Sequence, residues 1–208
     1  MCRPGLRRIG VVWVALAALS GALAACGSDP VAPATSAPPG FTVVSNAKSG
    51  FALAVPASWQ QIPLTPDLEV FERDTNRLRL KNPKLSSAIE LARSINGGEM
   101  MAVEPEGTAS VNLSIGRATE KTIEEVANGV VAAHNRSGAT GVETQSYPVA
   151  EGPAVRLTSR FPLATDAGTT PTDETQYLLL RNEKAYFLTV LGADRALADT
   201  IAGTLRLR

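Results

Sequence analysis

The sequence predicts an α+β fold for residues 41–208: a single, mainly antiparallel β-sheet with helices packed on its faces, that is, an α/β/α sandwich. Short apolar runs separated by turn residues indicate hairpins, which join antiparallel strands. Three segments with helical apolar spacing and flanking cap or breaker residues lie between the strands. The runs "YLLL" and "YFLTVL" are apolar at nearly every position, which indicates strands covered on both faces.

The first elements are a hairpin and a segment with two interpretations. "FTVVSN" and "FALAVP" are joined by "AKSG", and Pro56 ends the second strand. Within residues 64–81, basic residues that alternate with leucines favour a half-buried strand, whereas a second set of apolar residues keeps helical spacing. The basic residues are Arg77, Arg79 and Lys81, and the helically spaced ones are Leu64, Leu68, Phe71 and Leu78. Both interpretations stay open.

The middle of the chain predicts a helix and two strands. "PKLSSAIELARSI" begins at Pro83 and is ended by Gly97 and Gly98. Its apolar face consists of Leu85, Ala88, Ile89, Ala92 and Ile95. "MMAVEP" and "ASVNLSIGRA" follow as strands, the second with Val111, Leu113 and Ile115 on one face.

The second half begins with a helix over residues 123–136. Thr122 and Glu125 form a capping box, and Gly138 closes the helix. Its apolar stripe is Ile123, Val126, Ala127, Val130 and His134. Two alternating strands, "GVETQSYPV" and "AVRLTSRFPL", come next.

The C-terminal part predicts a hairpin, a helix and a strand. "TQYLLLR" and "AYFLTVLG" flank the turn "NEK". Asp194 caps a last helix that carries Leu197 and Ile201 and stops at Gly203, and "TLRLR" ends as a short strand.

Residues 1–25 have the pattern of a secretory signal peptide. "MCRPGLRR" is basic without an acidic residue, and Ile9–Ala25 is uncharged. The uncharged run is shorter than the roughly 20 residues of a spanning helix, so a retained membrane-spanning anchor is the less favoured alternative.

The end of this segment resembles the lipobox of bacterial lipoproteins. Its four positions are Leu23, Ala24, Ala25 and Cys26. The resemblance implies cleavage between Ala25 and Cys26 and a diacylglycerol on the Cys26 sulfur, with acylation of the new amino group. Several acyl chains on one residue make a stable anchor, which places the protein on the extracytoplasmic face of the cell membrane. The alternative is an ordinary thiol at the start of a loop.

Residues 26–40 predict a flexible, proline- and alanine-rich tether before the domain at 41–208. "GSDPVAPATSAPPG" has too little apolar bulk to fold. The whole chain has 20 basic and 20 acidic residues. Removal of residues 1–25 would leave a small acidic excess, which predicts no nucleic-acid partner. With Cys26 lipidated, no disulfide forms.

The order of elements resembles PsbP-like domains. "FALAVPASWQQI" matches their "F-x-(I/V)-x-x-P-x-x-W" entry, and Gly152, Pro153 and Ala154 match a "G-x-P-A" turn into a strand. Together with the lipobox and the tether, the chain resembles actinobacterial LpqN-type lipoproteins. The resemblance implies an antiparallel sheet between helical layers and adaptor roles, with no shared catalytic residues.

Few residues favour catalysis. The only histidine, His134, lies on the helical stripe, where it is expected to be structural, and no "G-x-S-x-G" motif accompanies it. The usual zinc sets, calcium loops and phosphate-binding glycine motifs are missing from the sequence, so neither a metal nor a cofactor is predicted.

Charged and aromatic candidates have ordinary surface or packing explanations. Two carboxylate pairs, Glu104/Glu106 and Glu124/Glu125, are expected to be solvated, although a glycosidase would need such a pair. Arg77, Arg79 and Lys81 are expected on a solvated strand face, with anionic headgroups or acidic polymers as the alternative partner. Trp59 is expected to pack over the sheet edge rather than to bind a ligand.

These observations predict a membrane-anchored, non-enzymatic module that binds another envelope protein or a polymer. One alternative is an extracytoplasmic carrier of a lipid or other apolar small molecule between sheet and helices. The least favoured alternative is an envelope hydrolase that uses His134 or a carboxylate pair.

Overall fold

The computed structural model describes residues 35–94, 98–165 and 168–208. Within these ranges lie ten strands and four α-helices. The strands are β1 Phe41–Asn46, β2 Phe51–Pro56, β3 Gln60–Ile62, β4 Gly98–Val103, β5 Ser110–Arg117, β6 Thr140–Val149, β7 Gly152–Thr165, β8 Gly168–Arg181, β9 Lys184–Leu191 and β10 Arg206–Leu207. The helices are α1 Leu68–Lys81, α2 Ser86–Ser94, α3 Ile123–Arg136 and α4 Arg195–Gly203, with a 3-10 turn at Pro83–Leu85.

The strands form two antiparallel sheets, so the prediction of a single sheet was wrong. A seven-stranded sheet has the order β3-β4-β5-β9-β8-β7-β6, and a three-stranded sheet has the order β1-β2-β10. The predicted α+β class and antiparallel pairing are confirmed. The first hairpin forms its own sheet because its inner strand pairs with the C-terminal β10 instead of joining the large sheet.

The central strand of the small sheet, β2, is buried along nearly its whole length. Phe51 to Val55 are all buried, so both faces of this strand must be covered. Phe51, Leu53 and Val55 belong to the main core together with Leu113 and Leu188 of the large sheet. The small sheet therefore takes the place of the second helical layer that the sequence predicts.

The two faces of the large sheet have different covers. The core face, which carries Leu113, Tyr177 and Leu188, packs against the small sheet and α4. The helix face, which carries Met101 and Ala185, packs against α1 and α2 at one side and α3 at the other. The molecule thus has three layers, as predicted, with one mixed outer layer.

Local signals define several boundaries correctly. Thr122 and Glu125 form the predicted capping box of α3, and the Asp194 side chain accepts from the Leu197 N–H at the start of α4. In the β8–β9 hairpin, the turn residues Asn182 and Glu183 have φ angles of 50° and 59°. Both residues therefore have the left-handed backbone conformation that a two-residue turn of type I′ requires.

Residues 68–81 form a helix, which resolves the two interpretations of 64–81 and excludes the strand. The Asp67 side chain accepts from the N–H groups of Glu69 and Val70, at 3.0 and 3.1 Å. Phe71 is buried against α2 and β4. The two leucines that alternate with basic residues in the sequence lie on different faces of the helix. Leu78 packs against this cluster, whereas Leu80 is 85% exposed.

The ends of β7 and β8 extend beyond their neighbours as a two-stranded ribbon. The pairing of β8 with β9 stops at Glu174, and that of β7 with β6 stops at Arg160. Beyond these points the two strands pair with each other, and Pro162 lies directly opposite Pro171.

We expect Gly192→Ala to lower the free energy of unfolding by about 2 kcal/mol or more. Gly192 has a φ of +68°, and a Cβ there would lie 1.9 Å from the Thr108 carbonyl oxygen. Urea titration measures the loss. The control is Gly129→Ala in α3, where a Cβ meets no atom within 4 Å and alanine stabilises by about 0.5–1 kcal/mol. Equal stability of the two variants would contradict the expectation.

Candidate functional site

The predicted anchor lies outside the described residues. This applies to the signal peptide at 1–25, to Leu23, Ala24, Ala25 and Cys26, and to the tether up to residue 34. Three hydrogen bonds join the described residues 35–40 to the domain. The Thr35 hydroxyl donates to the Thr204 carbonyl at 2.7 Å. The Phe41 N–H donates to the Pro38 carbonyl at 3.0 Å, and the Ala57 N–H donates to the Gly40 carbonyl at 2.8 Å. None of the helices in the described ranges has the length and apolar character to cross a membrane.

The histidine sits in an internal cluster between α3 and the large sheet. His134 is 8% exposed, and its Nδ1 contacts the Val130 carbonyl at 3.0 Å. Its Nε2 lies 2.8 Å from Oε2 of Glu174 on β8. The Ser159 hydroxyl of β7 donates to the same carboxylate oxygen at 2.8 Å.

Both ring nitrogens donate in this arrangement when His134 is protonated. A carbonyl only accepts, so Nδ1 donates to Val130, and an ionised Glu174 requires Nε2 to donate as well. The hydrogen bond with Glu174 raises the pKa of His134, against the lowering effect of burial. When His134 is protonated, the cluster is a buried ion pair that joins the last turn of α3 to β8.

The cluster differs from a nucleophile–base pair. In such a pair the hydroxyl donates to the imidazole, which then takes its proton. Here Ser159 and His134 both bind Oε2 of Glu174, so the carboxylate stands between them. This geometry supports the structural role expected for His134.

A second polar cluster lies on the core face, under α4. Arg156 of β7, 8% exposed, places Nη1 2.9 and 3.0 Å from the two carboxylate oxygens of Asp199. Its Nη2 donates to Gln145 at 2.6 Å. The Tyr177 hydroxyl donates to Asp199 at 2.5 Å, and the guanidinium lies 4.9 Å from the centre of the Tyr147 ring.

Burial also keeps the two tyrosines of this cluster protonated. Desolvation raises the pKa of Tyr177 far above its usual range, and its hydrogen bond to Asp199 raises it further. Desolvation raises the pKa of Tyr147 as well, followed by the charge of Asp199. Tyr177 therefore acts as a fixed donor that helps to hold α4 on the sheet.

The two carboxylates of each predicted pair have different surroundings. Glu106 pairs with Lys84, and Glu104 accepts from the Thr108 hydroxyl in the β4–β5 turn. Glu125 belongs to the capping box, and Glu124 is exposed beside it and lines an open groove of about 220 Å³ between α3 and the strands β6 and β7. The solvated interpretation is confirmed for Glu106, Glu124 and Glu125, whereas Glu104 is half-buried.

The three basic residues 77, 79 and 81 do not share a strand face, and that expectation was wrong. They lie on α1, where Arg79 pairs with Glu90 of α2, while Arg77 and Lys81 are exposed. Trp59 is 9% exposed and belongs to the main core, which confirms its packing role. Among the described residues, no group of three His, Cys, Asp or Glu side chains is placed to hold a metal ion.

Two open grooves lie at the end of the large sheet, around the β8–β9 turn. One, of about 780 Å³, runs between this turn and the loop from β5 to α3. The other, of about 360 Å³, continues along β5 and the start of β9. Arg117, Asn182 and Glu183 line both. These grooves are the candidate binding site.

Sequence reasoning missed the grooves and the partners of the buried charges. The alternation of side chains between the two faces of a strand gives a signal for the buried charges. Arg156 shares its face with the buried Ala154, and Glu174 shares its face with Gln176 and Leu178. A charged residue at a core-facing position indicates a buried partner. The grooves depend on which loops meet in space, for which the sequence carries no local signal.

Comparison with solved structures shows a likeness in fold. No protein-family model matches the chain, and no curated protein matches it. Among solved structures, it is similar to the solution structure of cyanobacterial PsbP (CyanoP) from Synechocystis sp. PCC 6803, with a TM-score of 0.51 and 13% sequence identity. The match covers 90% of this chain and 100% of that chain. The chain therefore has a PsbP-like fold; at this identity the likeness concerns the fold alone.

Proposed function

We propose that this protein is an extracytoplasmic lipoprotein of the LpqN type, anchored through Cys26, whose PsbP-like domain binds an envelope protein or polymer without catalysis. The main observation behind this proposal is which charged side chains of the described domain are buried and which are exposed. His134 and Glu174 are buried and satisfied by each other, while the grooves at the sheet end are open and charged. Such a domain is equipped for recognition at its surface.

The lipobox residues and the proline-rich segment support the anchor. Cleavage before Cys26 would leave a cysteine at the mature N-terminus, followed by a tether without apolar bulk. Two or three acyl chains on that cysteine give membrane binding that a single chain does not.

Within the part of the chain that the structure describes, no observation favours a carrier for an apolar molecule. Leu113, Tyr177 and Leu188, which would line a space between the sheets, are fully buried in one packed cluster with Phe51 and Leu53. We therefore retain the binding module.

We expect Cys26→Ala to release the protein from the membrane fraction of its host. The measurement is fractionation with an alkaline wash, followed by immunoblotting. Cys2→Ala is the matched control, because it removes the other cysteine of the chain from the segment that cleavage would discard. Retention of Cys26→Ala in membranes, or release of Cys2→Ala, would contradict the anchor.

Crosslinking in intact cells tests the binding role. The anchored wild-type chain should give a discrete, higher-mass adduct with an envelope component, which mass spectrometry identifies. A chain that stays uncrosslinked at all reagent concentrations, while turnover of an envelope substrate depends on His134 or Glu174, would overturn the non-enzymatic proposal in favour of a hydrolase.

A further inference from the structure

Three cationic side chains lie side by side at one end of the large sheet. Arg117 of β5 is directly opposite Lys184 of β9, and Lys184 is directly opposite Arg181 of β8. Directly opposite residues project from the same face, with Cβ atoms about 4.5–5.5 Å apart. These three residues, which we call the cationic row, cross three strands over roughly 10 Å.

The cationic row is only partly neutralised by the protein. Arg181 pairs with Glu151 and donates to the Leu207 carbonyl at 3.2 Å. Arg117 and Lys184 are exposed, and no ion pair joins either to a carboxylate within the described ranges. Like charges directly opposite each other are destabilising. An anion bound over the row would attract each cation and offset the repulsion between them.

The grooves provide room for such an anion. The larger groove is also lined by Lys121, so the two grooves contain four cationic residues with those of the row. Their carboxylates are Glu120 and Glu183. Glu120 is already held by the Thr119 N–H, at 3.0 Å, and the Thr119 hydroxyl, at 3.2 Å. Positive charge therefore exceeds negative charge along a continuous open surface.

The row lies at the far end of the small sheet from the tether. The chain enters β1 at Phe41, whereas Arg181 contacts Leu207, which pairs with Phe51 at the other end of β2. Five residue steps along a strand correspond to about 16 Å. The row and the first residue of β1 therefore lie at opposite ends of the small sheet.

We propose that the cationic row and its two grooves bind successive phosphate groups of an anionic polymer. The proposal rests on the proposed function only in placing the domain outside the cell. Arginine presents a planar fork that suits phosphate oxygens, and lysine adds a compact charge. Because Arg181 is already paired with Glu151, the exposed cations available to a ligand are Arg117, Lys184 and Lys121. Cations spread along two adjoining grooves suit a chain of repeated phosphates better than a single small anion.

The test uses the purified full-length protein in a non-ionic detergent, with fluorescent inorganic polyphosphate as the probe. Binding is measured by fluorescence anisotropy over a range of salt concentrations. The double variant Arg117→Gln/Lys184→Gln should weaken binding by about tenfold and reduce its salt dependence. The double variant Arg77→Gln/Lys81→Gln removes the same number of exposed positive charges from α1 and should bind like the wild type.

The melting temperature separates binding from folding. Because the row is self-repelling, its double variant should melt at the wild-type temperature or above it. Equal weakening by both double variants, or absence of wild-type binding at physiological salt, would overturn the proposal. Row-dependent binding to anionic phospholipid vesicles without binding to polyphosphate would overturn it in favour of a membrane surface. These results do not depend on fractionation of Cys26→Ala, so failure of the anchor and failure of the row are distinguishable.

Discussion

Replacing Asp199 with alanine is expected to lower the free energy of unfolding by about 3–5 kcal/mol, because it leaves a buried arginine without its carboxylate. The Arg156 side chain is 10% exposed, and both Asp199 oxygens lie within 3.0 Å of its Nη1. The Tyr177 hydroxyl loses its acceptor in the same variant. Because α4 joins the sheet partly through this cluster, we expect its amide hydrogens to exchange faster as well.

The control for this variant is Asp173→Ala. Asp173 also pairs with an arginine of β7, Arg160, but the two side chains are 74% and 70% exposed. Exposed pairs contribute about 0–1 kcal/mol. Urea titration of both variants gives the comparison, and a similar loss for the two would show that burial of Arg156 is unimportant for stability.

Replacing Glu174 with alanine is expected to cost about 3 kcal/mol near neutral pH, since it removes the shared partner of His134 and Ser159. The variant should also reverse the sign of the pH dependence that His134 gives to the free energy of unfolding. In the wild type, the hydrogen bond that His134 donates to Glu174 raises the pKa of His134 above its unfolded value of about 6.5. The folded state then holds a proton that the unfolded state loses as the pH rises.

The sign of the pH dependence follows from this difference in proton binding. The contribution of the pair is complete below the unfolded pKa of the histidine and is lost as the pH rises through its higher folded pKa. Without Glu174, desolvation becomes the largest influence and lowers the pKa of His134. Glu174→Ala should therefore lose stability as the pH falls through about 6.5.

The measurement is the free energy of unfolding between about pH 5 and about pH 9, which brackets the histidine titration. His134 is the only histidine of the chain, so no other imidazole contributes. His134→Gln, which does not titrate, should remove the slope attributed to this pair. An unchanged slope in that variant would assign the pH dependence to other groups.

The sequence predicts the elements of this fold better than their assembly. Caps and hairpin turns act over a few residues, so Thr122, Glu125 and Asp194 define helix starts without knowledge of the rest of the molecule. The sequence also predicts the β8–β9 hairpin, with a turn over residues 182–184, whereas in the structure Lys184 already belongs to β9. Expectation and structure agree best at such local signals.

The errors arise where two segments distant in sequence determine the result. The first hairpin pairs with β10, which is more than 150 residues away in the sequence. No local pattern therefore distinguishes a second sheet from an edge of the first. In α1, Leu78 and Leu80 alternate with basic residues, a pattern that also fits a strand. Packing and an ion pair with α2 stabilise the helix instead. The candidate site has the same origin, since Arg117 and Lys184 meet only through strand register.

The ribbon at the ends of β7 and β8 has a consequence for solubility. A ribbon of two strands leaves two edges, and unpaired edge amides are templates on which a neighbouring copy can add a strand and begin a fibre. Pro162 and Pro171, opposite each other in this ribbon, have no N–H to offer such a strand. Edge-to-edge aggregation is thereby discouraged at the two free edges of the ribbon, which would matter most on a membrane surface, where the proposed anchor brings neighbouring copies close together.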